Sequence, residues 1–198
     1  MKILVVHAHP VGDSFSHALF EATKRGLVAG GHTVSSIDLY AEGFGAAMTV
    51  DERAAYHSDT PLVSPDVTKY AEMVKTTEGL VFVYPTWWAG FPAVLKGWLD
   101  RVMVPGVIFD VVEVPTGHKI VPILRGIRLL AGVTTYGSPW WYVKSANDAG
   151  RRTIMRALRL NFALRCKRTW LALYKMDTRT PADRERFLIK VERKMALL

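Results

Sequence analysis

The sequence predicts an α/β fold, a doubly wound parallel sheet of five strands with helices on both faces. Three observations carry the prediction: short apolar, β-rich runs recur along the chain, each precedes a longer segment with helical spacing, and Gly, Pro and Asp gather between them. With 198 residues, 49% hydrophobic and 22% charged, the chain has the size and balance of one packed domain over residues 1–198, which excludes a disordered or fibrous protein.

Taken in order, the first strand is Lys2 to His7, an apolar run ending in the polar His7-Ala8-His9-Pro10. Phe15, Ala18, Leu19, Ala22 and Leu27 fall near one face of the first helix. Thr33 to Asp38 gives the second strand, and Val67, Tyr70, Ala71 and Val74 mark the next helix. Gly79 to Tyr84 is uninterrupted apolar sequence, as a strand buried on both faces should be. Val94, Leu95, Trp98, Leu99 and Val102 follow at helical spacing, then the fourth strand, Arg128 to Thr134. Ile154, Met155 and Leu158 indicate a helix over 149–160, Thr169 to Tyr174 a fifth strand, and Phe187, Leu188, Val191 and Met195 a closing helix. Right-handed crossovers then place helices on both sides of the sheet. The segments 41–65 and 104–127 are long for connections and read as functional or partner-facing loops. Phe44, Met48, Tyr56, Val107, Ile108 and Phe109 within them suggest an apolar surface that a two-fold partner covers.

No apolar run approaches the roughly 20 residues needed to span a bilayer, and the N-terminal run breaks at His7, too early for a secretory signal. With its one cysteine, Cys166, the chain reads as cytoplasmic. The net charge of +8 is unevenly spread: residues 1–150 carry 12 Lys and Arg against 14 Asp and Glu, net −2, whereas residues 151–198 carry 14 against 4, net +10. Such a basic region suits solvated helix faces first; a phosphate-bearing partner such as a nicotinamide dinucleotide, a membrane surface or nucleic acid comes after, with nucleic acid last.

Ligands of open parallel sheets sit beyond the C-terminal strand ends. After the first strand, Ser14 and Ser16, the His9 ring and the free amides of a helix start could hold a phosphate, while Ser14 equally suits a simple helix cap. His7 and His9 share a strand face but lack the supporting ligands of a metal site, so none is assigned. A complete G-x-G-x-x-G fingerprint and a P-loop are both absent, and Cys166 has no neighbouring histidine. Four of the six tryptophans lie in two strand-end loops, Tyr84-Pro85-Thr86-Trp87-Trp88-Ala89-Gly90 and Thr134-Thr135-Tyr136-Gly137-Ser138-Pro139-Trp140-Trp141-Tyr142. Aromatic faces and close-approaching glycine backbone suit a flat conjugated ligand.

These residues resemble the flavodoxin-fold NAD(P)H:quinone oxidoreductases, the DT-diaphorase family and its bacterial relatives. Ala8-His9-Pro10 with Ser14-Phe15 is similar to that family's A-H-x-x-x-x-S-F flavin phosphate loop, and Asp38-Leu39-Tyr40 follows the second strand as it does there. Pro92-Ala93-Val94-Leu95-Lys96-Gly97-Trp98-Leu99-Asp100-Arg101-Val102 resembles its P-A-x-L-K-G-W-x-[DE]-R-V signature without a gap. The resemblance implies a flavodoxin-like sheet of order 2-1-3-4-5, a tightly bound flavin, and a homodimer with active sites at the subunit interface. It also implies two-electron, ping-pong hydride transfer from NAD(P)H to a quinone or similar small acceptor. Carried over by position, His9, Ser14, Phe15 and Ser16 would hold the phosphate end. Pro85, Thr86, Trp87 and Trp88 would line one edge of the isoalloxazine, and Thr134, Thr135, Tyr136 and Gly137 the other. Mammalian members pair a tyrosine with a histidine six residues later; Tyr142 matches the first and is the candidate catalytic group, whereas Asp148 replaces the histidine and also suits a helix N-cap. Ser16 stands where many FAD-binding relatives carry asparagine, which favours FMN over FAD. Azo, nitro or flavin reduction, and a redox-sensing role as a regulatory subunit of a potassium efflux system, are the alternatives that the resemblance carries.

Overall fold

A computed structural model describes residues 1–58 and 60–198; Asp59, within the 41–65 segment, lies outside the described residues. Strands β1 (Lys2–His7), β2 (Thr33–Asp38), β3 (Gly79–Pro85), β6 (Leu129–Thr135) and β7 (Lys167–Leu173) form one parallel sheet in the order β2-β1-β3-β6-β7. This is the expected doubly wound order. Register aligns the ends: His7 lies opposite Asp38 and Val83, and Thr135 opposite Pro85 and Leu173. All five C-terminal ends therefore open onto one rim, where the loops of the candidate site begin.

Side-chain alternation divides the core in two. Leu80, Phe82 and Tyr84 face the layer containing α3 (Pro65–Lys75) and α4 (Ala93–Val102), whereas Val81 and Val83 face α1 (Phe15–Ala29) and α7 (Pro181–Ala196). Each helix of the second layer starts on a side-chain cap: Ser14 accepts the His17 amide, and Thr180 and Asp183 form a reciprocal capping box before α7. No helix among the described residues is long and apolar enough to cross a membrane.

The two long connections are more structured than their composition suggests. The 41–65 segment contains α2 (Val50–Ala55). The 104–127 segment folds into an antiparallel hairpin, β4 (Phe109–Val114) and β5 (Gly117–Pro122), that stands apart from the main sheet. Its sequence signal is Val111-Val112 and Ile120-Val121 on either side of Pro115-Thr116-Gly117, β-branched pairs around turn residues. Phe44, Val107 and Ile108 are buried within this chain rather than presented to a partner; the exposed large apolar residues of the 104–127 segment are instead Val111, Val112, Ile120, Val121 and Ile123. After β6 come two short helices, α5 (Trp140–Ser145) and α6 (Ala149–Arg152). The helix expected over 149–160 does not run straight: α6 passes into a π-helical turn at Thr153–Ala157 and a 3₁₀ turn at Leu158–Asn161. The wide turn keeps Ile154, Met155 and Leu158 in the core while Arg152 and Arg156 stay on the outside.

Candidate active site

At the β1 end, His7 is completely buried between two partners. Its Nδ1 lies 3.0 Å from Asp38 Oδ2 and its Nε2 3.4 Å from Ser16 Oγ. Burial holds its pKa below the usual histidine value despite the opposing pull of Asp38. The neutral ring thus donates from Nδ1 to the carboxylate and accepts the Ser16 hydroxyl at Nε2. His17 is the third member of this cluster, with the potential ligand atoms of His7, His17 and Asp38 within 4.8 Å of one another. The hydroxyl of Ser16 is therefore committed to the core, that of Ser14 to the His17 amide at 3.1 Å, and the ring of Phe15 packs against the α1–α7 core. What these residues offer outward is main chain: Phe15 and Ser16 open α1, so their N–H groups have no intrahelical acceptor and sit at the positive end of the helix dipole. His9, half-exposed, takes the Val11 amide on its Nδ1 at 3.1 Å.

The β3 loop meets this one directly, with the rings of His9 and Trp87 5.9 Å apart. Trp87 and Gly90 exchange backbone hydrogen bonds of 3.3 and 3.0 Å, closing a two-residue turn. Trp88 and Ala89 occupy its centre at φ 48° and 57°, conformations usually left to Asn and Gly and costing about 1–2 kcal/mol per residue. The result is an indole, that of Trp88, held entirely in solvent at the rim.

The β6 loop lies beside it. Thr86 donates its amide to Thr135 O at 2.8 Å, and the Thr86 and Thr134 hydroxyls are 2.9 Å apart. Tyr136 is anchored by its backbone to Leu173 and Met176, its ring stacks on Tyr174 at 4.9 Å, and its phenol donates to Asp148 Oδ1 at 2.8 Å. Burial first, then the Asp148 carboxylate, push the Tyr136 phenol far above its ordinary range, so it remains a donor. Gly137 lies close to the Asp177 carboxylate: a Cβ there would stand 2.8 Å from Oδ2, and the exposed Asp177 side chain would have to turn aside. Of the sequence-derived residues, those of the β1, β3 and β6 loops thus come together on one rim. Tyr142 does not join them by any hydrogen bond; it is exposed on α5 with Trp140 and Trp141.

The Tyr136–Asp148 pair was not legible in the motifs. Asp148 precedes α6 as expected, but it makes no cap hydrogen bond, because Asn147 and Asp148 are both left-handed (φ 70° and 40°) and turn its carboxylate back to the β6 loop. The available signal was Asn-Asp itself, residue types that tolerate that conformation.

The segment most like the family signature lies behind this rim. Trp98 is fully buried; Arg101, buried as well, reaches both oxygens of buried Glu52, the Gly45 carbonyl at 2.6 Å and Asp66 at 3.3 Å. A Cβ on Gly97 would lie 2.1 Å from the Ala46 carbonyl. The signature thus pins the 41–65 segment against α4.

A protein-family model described as flavodoxin-like fold matches residues 1–193. The ribosyldihydronicotinamide dehydrogenase [quinone] of Pongo abelii is 30% identical over 161 residues, 73% of this chain and 67% of that protein. Among solved structures, a Streptococcus mutans UA159 protein is similar over 100% of both chains, with a TM-score of 0.84 and 26% identity. The NAD(P)H:quinone oxidoreductase of Methanothermobacter marburgensis is similar over 99% of this chain and 96% of its own, with a TM-score of 0.79 and 25% identity.

Proposed function

The chain belongs to the flavodoxin-like fold family, and from that premise we propose that it is a flavin-dependent NAD(P)H oxidoreductase acting on quinones or similar small acceptors. The observation that carries the reading is the convergence of three strand-end loops, with His9 beside Trp87 and Thr86 hydrogen-bonded to Thr134 and Thr135. When bound, the flavin supplies two-electron hydride chemistry between NAD(P)H and the acceptor.

The residues present fit such a group. The free amides of Phe15 and Ser16 and the His9 ring supply donors for a phosphate, whereas the Ser14 and Ser16 hydroxyls position the loop. Pro85, Thr86, Trp87 and Trp88 form one wall for a flat ring, and Thr134, Thr135, Tyr136 and Gly137 the other. The Tyr136–Asp148 bond fixes the second wall, and the Thr86–Thr134 bond holds the two side by side. The exposed Trp140, Trp141 and Tyr142 provide an apolar margin beside the rim where donor and acceptor bind in turn. Tyr142 is the candidate phenol for stabilising charge during transfer. FMN is the cofactor favoured over FAD by Ser16.

The exposed valines and isoleucines of the β4–β5 hairpin are the face for a two-fold partner, and the reducing cytoplasm suits a chain whose one cysteine is buried and free. Purified protein should be yellow, or become so with FMN, and should oxidise NAD(P)H when a quinone is added. A colourless protein that takes up neither FMN nor FAD and leaves NAD(P)H unoxidised refutes the function. A monomer mass in light scattering refutes the dimer.

A further inference from the structure

Beyond the rim, along the outer strand of the sheet, runs a cleft of about 640 Å³ bounded by α5, α6, the π-helical turn and β7. Lys144, Arg151, Arg152, Arg156 and Arg168 line it, and none of the five has an ion-pair partner among the described residues. Many cations elsewhere on the surface are paired, as in Arg25–Glu192, Lys69–Glu42, Lys96–Asp100 and Arg186–Asp183. The carboxylate lining the cleft, that of Asp148, is engaged by the Tyr136 phenol. Arg168 makes a single hydrogen bond, to the Met155 carbonyl at 3.3 Å. Five cations gathered around one carboxylate leave an excess of positive charge that repels itself, and an anion with several charges removes that cost.

The position of the cleft identifies the anion. Of its lining, Arg168 lies at the start of β7 and Tyr174 just past its end, six residues apart and so about 20 Å at the rise of a strand. At the Tyr174 end it touches the candidate active site, because Tyr174 stacks on Tyr136 and Asp148 lines both. Trp140 stands at its edge with the Lys144 ammonium 4.9 Å above the ring, an exposed flat surface beside a cation. A long ligand is called for, with a reactive ring at one end, phosphates along its length and a base able to stack. We propose that this cleft binds the phosphate-bearing part of the nicotinamide donor and makes the 2′-phosphorylated form, NADPH, the preferred one. The inference rests on the NAD(P)H oxidoreductase reading. The basic last quarter of the sequence, with Lys144 from α5, is then in part a donor site.

The test is titration calorimetry of the flavin-loaded protein with two redox-inert fragments, 2′-phospho-ADP-ribose and ADP-ribose. The phosphorylated fragment should bind at least about ten-fold tighter, the effect of one charge-assisted hydrogen bond. In Arg152→Ala/Arg156→Ala that preference should vanish, and the ratio of kcat/KM for NADPH over NADH should fall in parallel. Both residues are exposed, so far-UV circular dichroism should be unchanged; Lys144→Glu, on a separate helix, should act in the same direction. Arg193→Ala, on the distant α7, should change neither quantity. Equal binding of the two fragments, or a preference that survives both cleft variants, overturns the proposal while leaving the oxidoreductase reading standing. Fragment discrimination in a protein that takes up no flavin and oxidises no NAD(P)H supports the phosphate site and overturns the redox reading instead. Tighter binding of a single-stranded oligonucleotide, lost in the same variants, while the fragments do not bind, assigns the cleft to nucleic acid and rejects the proposal.

Discussion

Helix α4 with the 41–65 segment and the rim of strand-end loops are both built from residues that resemble one family, yet they are constructed in opposite ways. The first is closed: Arg101 and Glu52 are buried together, Gly97 touches Ala46, and Trp98 has no exposed surface. The second is open and locally strained, with Trp88 in solvent on a left-handed turn and Asp148 turned by its left-handed backbone from a capping position to a phenol. The most recognisable segment is thus a strut, and the segment proposed for the chemistry is the one that departs from local rules. Strain and exposure collect at the rim proposed to hold the ligand, while the strut fixes the frame that makes them tolerable.

The sharpest way to break this contrast is Arg101→Ala. It leaves the Glu52 carboxylate buried and unpaired, which should cost about 3–5 kcal/mol and lower the melting temperature by on the order of 10 °C. The folded fraction should still bind flavin; loss of affinity in step with stability would show that the strut belongs to the site. Acid should attack the strut in a distinct range. Burial alone would raise the Glu52 pKa, but the Arg101 and Thr49 hydrogen bonds outweigh it and hold the carboxyl at about 2 against an ordinary 4.5. Its contribution, about 3 kcal/mol, is fully present above pH 4.5 and is lost as the pH falls from there towards 2. His7 acts earlier. Its folded pKa lies below 6.5, so beneath that pH the unfolded chain takes up a proton that the buried ring refuses, and stability declines on acidification from about 6.5 to the folded value. Urea denaturation at a series of pH values should show both steps, and His7→Gln should erase only the first.

The rim responds in binding rather than stability. His9→Ala removes a donor to a charged group, about 1.5–3 kcal/mol, so flavin affinity should fall ten- to a hundred-fold at nearly constant melting temperature. Fluorescence titration with FMN measures it, and unchanged affinity would detach the β1 loop from the site. Trp88→Gly should split the two properties: relief of the left-handed residue stabilises the fold by about 1 kcal/mol, while loss of the indole loosens the cofactor by a similar amount. Loss of both, or of neither, would remove Trp88 from the wall. The smallest effect is expected of Tyr142→Phe, a modest slowing of flavin reduction by NAD(P)H at full flavin content; an unchanged stopped-flow rate would strike the phenol from the mechanism.

How far the sequence could be read follows from the same contrast. Strands such as β3 were readable to within a residue or two because a strand buried on both faces is an uninterrupted apolar run, as Leu80 to Tyr84 is. The β4–β5 hairpin escaped, since exposed Val111 and Val112 alternate with no buried partner set and so carry no periodicity. The membership of the rim was legible from loop residues at strand ends, but their orientation was not: Ser14 and Ser16 turn their hydroxyls inward, to His17 and His7. The Tyr136–Asp148 contact depends on two consecutive left-handed residues, and one such bend redirects every side chain after it. The π-helical turn hid the cleft in the same way, since regular helical spacing cannot show which arginines of residues 151–156 share a face.

The row of arginines has a consequence unrelated to any ligand. β7 is an outer strand of the sheet, with one side hydrogen-bonded to β6 and the other offering unpaired backbone groups. Such an edge invites a strand from another molecule to add to it, the first step towards fibrous association. Here Lys167 and Arg168 begin the strand, and the cleft beside it carries further positive charge. Two copies approaching edge to edge would bring these cations together. The repulsion opposes growth of the sheet from molecule to molecule.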